Sequence, residues 1–261
     1  MTTSMRTSLA MLLVAACATL APQAQADYVA YDNARFQNGS FVQGAWALSG
    51  NAWVGQSLTL TPSTPSLSIT GIDIPVACIG SADGPASGAW RLRVRIYDSY
   101  SSSGTPVFGN LVSEQFVVPT FGGLSPGFIY ALTSATPNTP IWKFASPVTV
   151  STLGPIGISY IFESFDGAVW ASSTTLQTAA FANNTGPLVG SSNMPGGKGY
   201  YQRSTSALPS LPGNFDATNQ LNIAGWSFNG LDLRVWTAVP TPGTFAFIAS
   251  GGFVIARRRR V

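Results

Sequence analysis

The stretch Ala89 to Tyr97, AWRLRVRIY, alternates apolar and charged residues with a period of two. Trp90, Leu92, Val94 and Ile96 fall on one face and Arg91, Arg93 and Arg95 on the other, the pattern of a strand with one buried side. Loop-like runs bound it, DGPASG before and DSYSSSGTP after. Ile156 to Phe162, IGISYIF, repeats the alternation through Ile156, Ile158, Tyr160 and Phe162. Leu67 to Ile74, Val107 to Val118 and Val148 to Val150 are weaker strand candidates. Further on, Asn229-Gly230 separates Trp226-Ser227-Phe228 from Leu231 to Trp236. Asn-Gly suits the two positive-φ positions of a type I′ turn, so a hairpin is expected there. Gly186 to Gly199 reads as a long loop.

No segment between the termini sustains a helical period. Many short strands without intervening helices predict an all-β fold, β-sandwich or jelly-roll-like, formed by a single domain over residues 27–237. The composition agrees. This region is poor in charge and rich in Gly, Ser, Thr, Pro and aromatic residues, which suits strands and turns and not helices. It is too apolar to be disordered.

The two ends follow a different logic. Met1 to Arg6 form a short basic n-region, and Leu9 to Leu20, LAMLLVAACATL, an apolar run too short to span a bilayer comfortably. Ala24-Gln25-Ala26 then supplies the small-x-small pattern read by a signal peptidase. Residues 1–26 are therefore expected to be a signal peptide, with Ala24 and Ala26 in the cleavage motif and Asp27 the first mature residue. A competing cut exists at Val14-Ala15-Ala16-Cys17, which resembles a lipoprotein signal whose Cys17 thiol is acylated. Cys17 lies inside the apolar run and not at its end, and the AQA site follows at the expected distance, which favours the cut before Asp27.

At the other end Val239 to Val261 reads VPTPGTFAFIASGGFVIARRRRV. Two prolines stop the preceding strand. An apolar run from Thr244 to Ala256 follows, and Arg257, Arg258, Arg259 and Arg260 close it. A short apolar helix before a basic cluster is a stop-transfer arrangement that keeps the arginines inside and the preceding domain outside. About 13 residues at 1.5 Å each give roughly 20 Å against a hydrocarbon core near 30 Å, short for a permanent anchor but sufficient for a transient one.

Charge changes its meaning once the ends are set aside. The chain carries a formal net charge of +3, but without Arg6 and Arg257 to Arg260 eight basic residues remain against ten acidic ones. The basic character belongs to the termini, so a nucleic-acid partner loses its support. There is no histidine, which excludes Ser-His-Asp and Cys-His catalysis and any zinc site with His ligands. After export only Cys78 remains, in IPVACIG, where a lone cysteine reads as a small buried hydrophobe.

The ordered tail, residues 238–261, resembles the PEP-CTERM sorting signals of Gram-negative bacteria and planctomycete-like organisms. Those combine a Pro-x-Pro motif, a hydrophobic helix and a C-terminal arginine cluster. The resemblance places Val239, Pro240, Thr241 and Pro242 at the sorting motif, with Thr241 where Glu is usual. It implies export through the signal-peptide machinery, tail removal by an exosortase-like membrane protease and delivery to the cell surface or extracellular matrix, with transient or permanent inner-membrane contact. It covers under a tenth of the chain and implies little about the domain itself, beyond a frequent association with exopolysaccharide.

Three readings of the domain follow. The first is a non-enzymatic surface or matrix protein. The second is a carbohydrate-binding module using aromatic platforms, with Trp46, Trp53, Trp142 and Trp170 in less regular contexts than the core-like Trp90. The third is a glycan-active hydrolase built on Glu163 and Asp166 of FESFDG, with Glu114 a further carboxylate. The Arg91, Arg93 and Arg95 stripe reads most simply as a solvated sheet face paired across strands with acids. Asn214-Phe215-Asp216 lacks a recognised calcium spacing. No catalytic residue, cofactor or metal ligand is assigned from the sequence.

Overall fold

The computed structural model describes residues 27–33, 36–37, 40–41, 45–47, 52–61, 65–78, 90–101, 107–118, 124–125, 127–130, 139–151, 153–173, 175–183, 187–192, 200–204, 220–221 and 228–238. Among them there is no helix, and the architecture is all-β. Asp27–Ala238 form one compact unit.

Ten strands organise it. They are β1 (Asp27–Asp32), β2 (Ala52–Thr59), β3 (Ser66–Asp73), β4 (Trp90–Tyr97), β5 (Leu111–Val117), β6 (Trp142–Ser151), β7 (Ile156–Phe165), β8 (Trp170–Ser172), β9 (Tyr200–Ser204) and β10 (Arg234–Ala238). A four-stranded antiparallel sheet runs in the order β1-β10-β3-β6, so the first and last strands are neighbours. A larger antiparallel sheet runs β5-β4-β7-β2-β9 and ends on the short strand Gln220–Leu221. β8 also pairs with β7, and Ser191–Ser192 with β2. Shorter ladders join Val76–Cys78 to Phe128–Tyr130 and Leu176–Gln177, and Ala179–Asn183 to Ala45–Ala47 and Phe228–Leu231.

The alternation read from the sequence decides which face is buried. Trp90, Leu92, Val94 and Ile96 of β4 and Ile156, Ile158, Tyr160 and Phe162 of β7 share one core cluster with Leu67, Ile69 and Ile72 of β3 and Val148 and Val150 of β6. The two sheets thus bury their inner faces in a common core, the arrangement of a sandwich. At roughly 25 cal/mol per Å² of apolar surface removed from water, each fully buried large side chain contributes about 1.5–3 kcal/mol. Trp90, Trp142 and Phe162 meet at ring-centroid distances of 5.6 to 5.9 Å in tilted and edge-on contacts. The free Cys78 thiol is buried in the same core.

Two expectations change. Val107 to Val118 is interrupted by Gly109-Asn110, giving the short strand Val107–Phe108 and then β5. The Asn-Gly hairpin does not form. Asn229 and Gly230 lie within the strand Phe228–Leu231, opposite Ala182 and Phe181. The chain then passes through Asp232 and Leu233 into β10, in another sheet. Leu231 and Leu233 are both fully buried, and the Leu231 amide donates to Gln56 Oε1 at 2.8 Å. Tertiary burial on both sides of Asp232 outweighs the local preference of Asn-Gly for a turn. Within the expected loop 186–199, Ser191–Ser192 form a strand.

Candidate functional site

The outer face of the larger sheet carries the chemistry that the sequence singled out. Arg91, Arg93 and Arg95 point away from the shared core, as the period of two requires. Carboxylates from the strands on either side meet them. Glu163 of β7 accepts from Arg91 Nε at 2.6 Å and from Arg93 Nη1 at 3.1 Å. Glu114 of β5 accepts from Arg93 Nε at 2.9 Å and Arg95 Nε at 2.6 Å. Charged pairs across adjacent strands are the expected partner for such a stripe. The face is not broadly solvated, however. The Arg95 side chain is 2% exposed and that of Glu163 4%.

Aromatic rings explain the burial. The Arg95 and Arg93 guanidinium carbons lie 4.8 and 5.5 Å from the centroid of Trp53, which is fully buried. Further along the face, Tyr97, Tyr100, Phe108 and Ile161 close a second apolar cluster with Trp53. Phe108 comes from the 98–110 excursion and stacks on Tyr97 at 5.1 Å. It occupies a trough made by Gly55 and Gly157, where any added Cβ would come within 3.0 and 2.5 Å of its ring.

The other end of the face is open. Arg91 bridges two rings, its guanidinium carbon 4.3 Å from the Phe116 centroid and 4.2 Å from that of Trp170. Phe165 leans on Trp170 at 5.3 Å. Phe116 is 45% exposed and Phe165 38%, and Val169 beside them is 58% exposed. The result is a ledge of three rings, Phe116 and Trp170 on the Arg91 cation and Phe165 against Trp170, with the sandwich core behind it. Gly167, at a φ of 101°, makes the tight turn between β7 and β8 that brings Trp170 opposite Phe165. Aromatic faces of this kind stack on apolar or sugar-ring surfaces, while a cation–π contact holds them in place.

The candidate catalytic pair is not assembled as a pair. Both Glu163 oxygens are engaged by arginines. Asp166 is exposed and caps its own turn, with Oδ1 accepting from Val169 N at 2.8 Å and Ala168 N at 2.9 Å. Those bonds hold its carboxyl below the usual range, the opposite of what a general acid requires.

Among the candidate aromatic platforms, Trp142 belongs to the inner core and donates Nε1–H to Ile74 O at 3.3 Å. Trp53 lies beneath the arginines. Trp170 alone of these three reaches the surface. Trp46 lies in the strand Ala45–Ala47, and its side chain is outside the described part. Phe116 and Phe165 were missed by the sequence reading. Their signal was the placement of an apolar side chain on the charged face, since Phe116 is opposite Arg93 and Phe165 follows two residues after Glu163.

Asp27 is the first residue of β1 and pairs with Ala238. Cys17, Ala24, Ala26, Asn214, Phe215, Asp216, Val239, Pro240, Thr241, Pro242 and Arg257 to Arg260 lie outside the described residues. No protein-family model and no curated protein sequence matches the chain.

Proposed function

We propose that this is an exported, non-enzymatic surface or matrix protein, sorted through a PEP-CTERM-like tail, whose single jelly-roll-like domain binds polysaccharide on the Phe116–Trp170–Phe165 ledge. The observation that carries the binding reading is the ring ledge at Arg91, with Phe116 and Phe165 exposed and Trp170 half-buried between Arg91 and Phe165. Rigid aromatic side chains lose little entropy on binding and offer flat faces to sugar rings. The engagement of Glu114 and Glu163 by arginines supports a non-catalytic role, because two free carboxylates across a cleft are the minimum for most glycosidases. The termini support export: a signal peptide ending at Ala26, and a tail in which Pro240, Thr241 and Pro242 precede an apolar helix and Arg257 to Arg260.

Two measurements test this reading. Intact-mass analysis of the protein from its host, taken separately from envelope and medium, is expected to find a chain that starts at Asp27 and lacks the tail beyond the Pro-Thr-Pro region. A mass that retains Thr244 to Arg260 would sink the sortase-substrate reading and leave a membrane-tethered domain, and an acylated Cys17 would make it a lipoprotein. Affinity electrophoresis in the host's own exopolysaccharide is expected to retard the protein. Trp170→Ala and Phe116→Ala should each reduce that retardation, by the 1–3 kcal/mol typical of a lost stacking surface, about 5- to 150-fold in affinity. Equal mobility of wild type and both variants would remove the ledge from consideration.

A further inference from the structure

A second concentration of polar groups lies where β1 meets the chain entering β10. Asp232 is fully buried, and neither of its carboxylate oxygens has a hydrogen-bond donor. Asn33, equally buried, brackets it. The Asn33 main-chain N donates to Leu233 O at 2.9 Å and its Nδ2 to Leu231 O at 2.8 Å, while Oδ1 has no partner. Asp32 is near enough for its charge to act on Asp232. Arg234 holds Asp32 Oδ2 at 3.0 Å and reaches Asp73 at 3.6 Å. Asp73 also accepts from Trp236 Nε1 and from Ile141 N, each at 2.7 Å. One guanidinium therefore serves two carboxylates and leaves Asp232 without a bonded counter-charge.

We propose that Asp232, Asn33 and Asp32 form a binding site for a hard divalent cation of the calcium class. The unsatisfied side-chain atoms of Asp232 and Asn33 are all acceptors, and buried acceptor oxygens that no donor reaches are complementary to a cation. An ionised carboxylate buried without donor or counter-ion is prohibitively unfavourable.

The ligands are oxygens throughout, which selects a hard ion over zinc or copper. Among the described residues no three Asp, Glu, Cys or His side chains converge as a metal-holding group. The shell is therefore completed by amide and main-chain oxygens, which calcium accepts readily. The site ties the end of the first strand to the entry of the last, so its role is to staple the two ends of the domain.

The test uses the full-length protein, stripped with EGTA. Calorimetric titration with calcium is expected to show one ion bound per chain. Terbium is expected to luminesce through excitation of nearby Tyr31 and Trp236 and to be displaced by calcium. At a hundredfold excess over Kd, Tm should rise by roughly 5–10 °C. Asp232→Asn should weaken binding on the order of 100-fold and abolish the rise in Tm, whereas Asp166→Asn, at an exposed acid, should leave both intact. Absence of both calcium heat and terbium emission in the wild type overturns the proposal. So does an Asp232→Asn variant that melts with the wild type both in EGTA and in calcium, since Asp232 is then a buried neutral acid. Should that variant fail to fold, the wild-type titrations decide alone.

Discussion

Asp27 and Ala238 are cross-strand partners, the end pair of the ladder between β1 and β10. The expected signal cleavage before Asp27 and the tail that begins at Val239 thus flank one pair of neighbouring residues. The described pairs of that ladder all lie within residues 27–238. A chain of residues 27–238 is expected to unfold in one cooperative transition, with Tm within about 2 °C of the full chain. A chain starting at residue 34 loses β1 and with it the buried Ala30 and Tyr31. Its Tm should fall by roughly 10 °C or more, since truncating one large buried side chain alone costs about 3–5 kcal/mol. Scanning calorimetry on the two chains distinguishes them.

Gly157 is required for space. A Cβ there would come within 2.5 Å of Phe108 Cδ1, well inside van der Waals contact, with the Phe108 ring already stacked on Tyr97. Gly157→Ala should destabilise by about 1–3 kcal/mol through overpacking. Adding Phe108→Ala should remove most of that penalty, so the double variant will be more stable than the sum of the singles requires. Urea unfolding of all four proteins measures the coupling.

Glu163 is the anion shared by Arg91 and Arg93, and its side chain is 4% exposed. Glu163→Gln keeps the shape and removes the charge, leaving two mostly buried guanidinium groups short of a counter-ion. The expected loss is about 2–4 kcal/mol by chemical denaturation. A variant as stable as the wild type would show that Glu114 alone balances the stripe.

Asp98 governs how the 98–110 excursion closes. Partial burial works to raise its carboxyl, but hydrogen bonds from Ser99 Oγ at 2.8 Å, Asn110 Nδ2 at 3.2 Å and Asn110 N at 3.0 Å prevail and hold it below the usual range. A carboxyl depressed in the folded state contributes stability that is present above its unfolded value, near 3.9, and lost as pH falls through the folded one. Wild type should therefore exceed Asp98→Asn in Tm at neutral pH. The difference should close below about pH 4. Thermal melts across pH 2–7 read it directly.

Alternation along β4 and β7 was legible because it is local. A period of two is set by the pleat, and it told which side of Trp90–Tyr97 and Ile156–Phe165 would be buried before any partner was known. The lack of helical periodicity and the abundance of turn residues likewise led to an all-β architecture. The partners themselves were not legible. Arg91 meets Glu163 across 72 residues of sequence, and Asn33 meets the carbonyl of Leu231 across 198.

The same distinction separates the aromatic residues. Trp53 and Trp170 look alike in sequence, yet one lies sealed under two arginines and the other stands at the surface. Which of them faces solvent depends on where Phe108 and β8 fold back, and that is decided by packing between distant strands. Asn229-Gly230 has the local signature of a turn and is drawn into a strand because Leu231 and Leu233 are both buried beyond it. By itself the sequence determined strand character, buried faces and the absence of histidine chemistry. The tertiary structure alone decided strand order, the open aromatic ledge and the buried Asp232. These depend on which distant groups share a core, and burial free energy and charge pairing act through space and not along the chain.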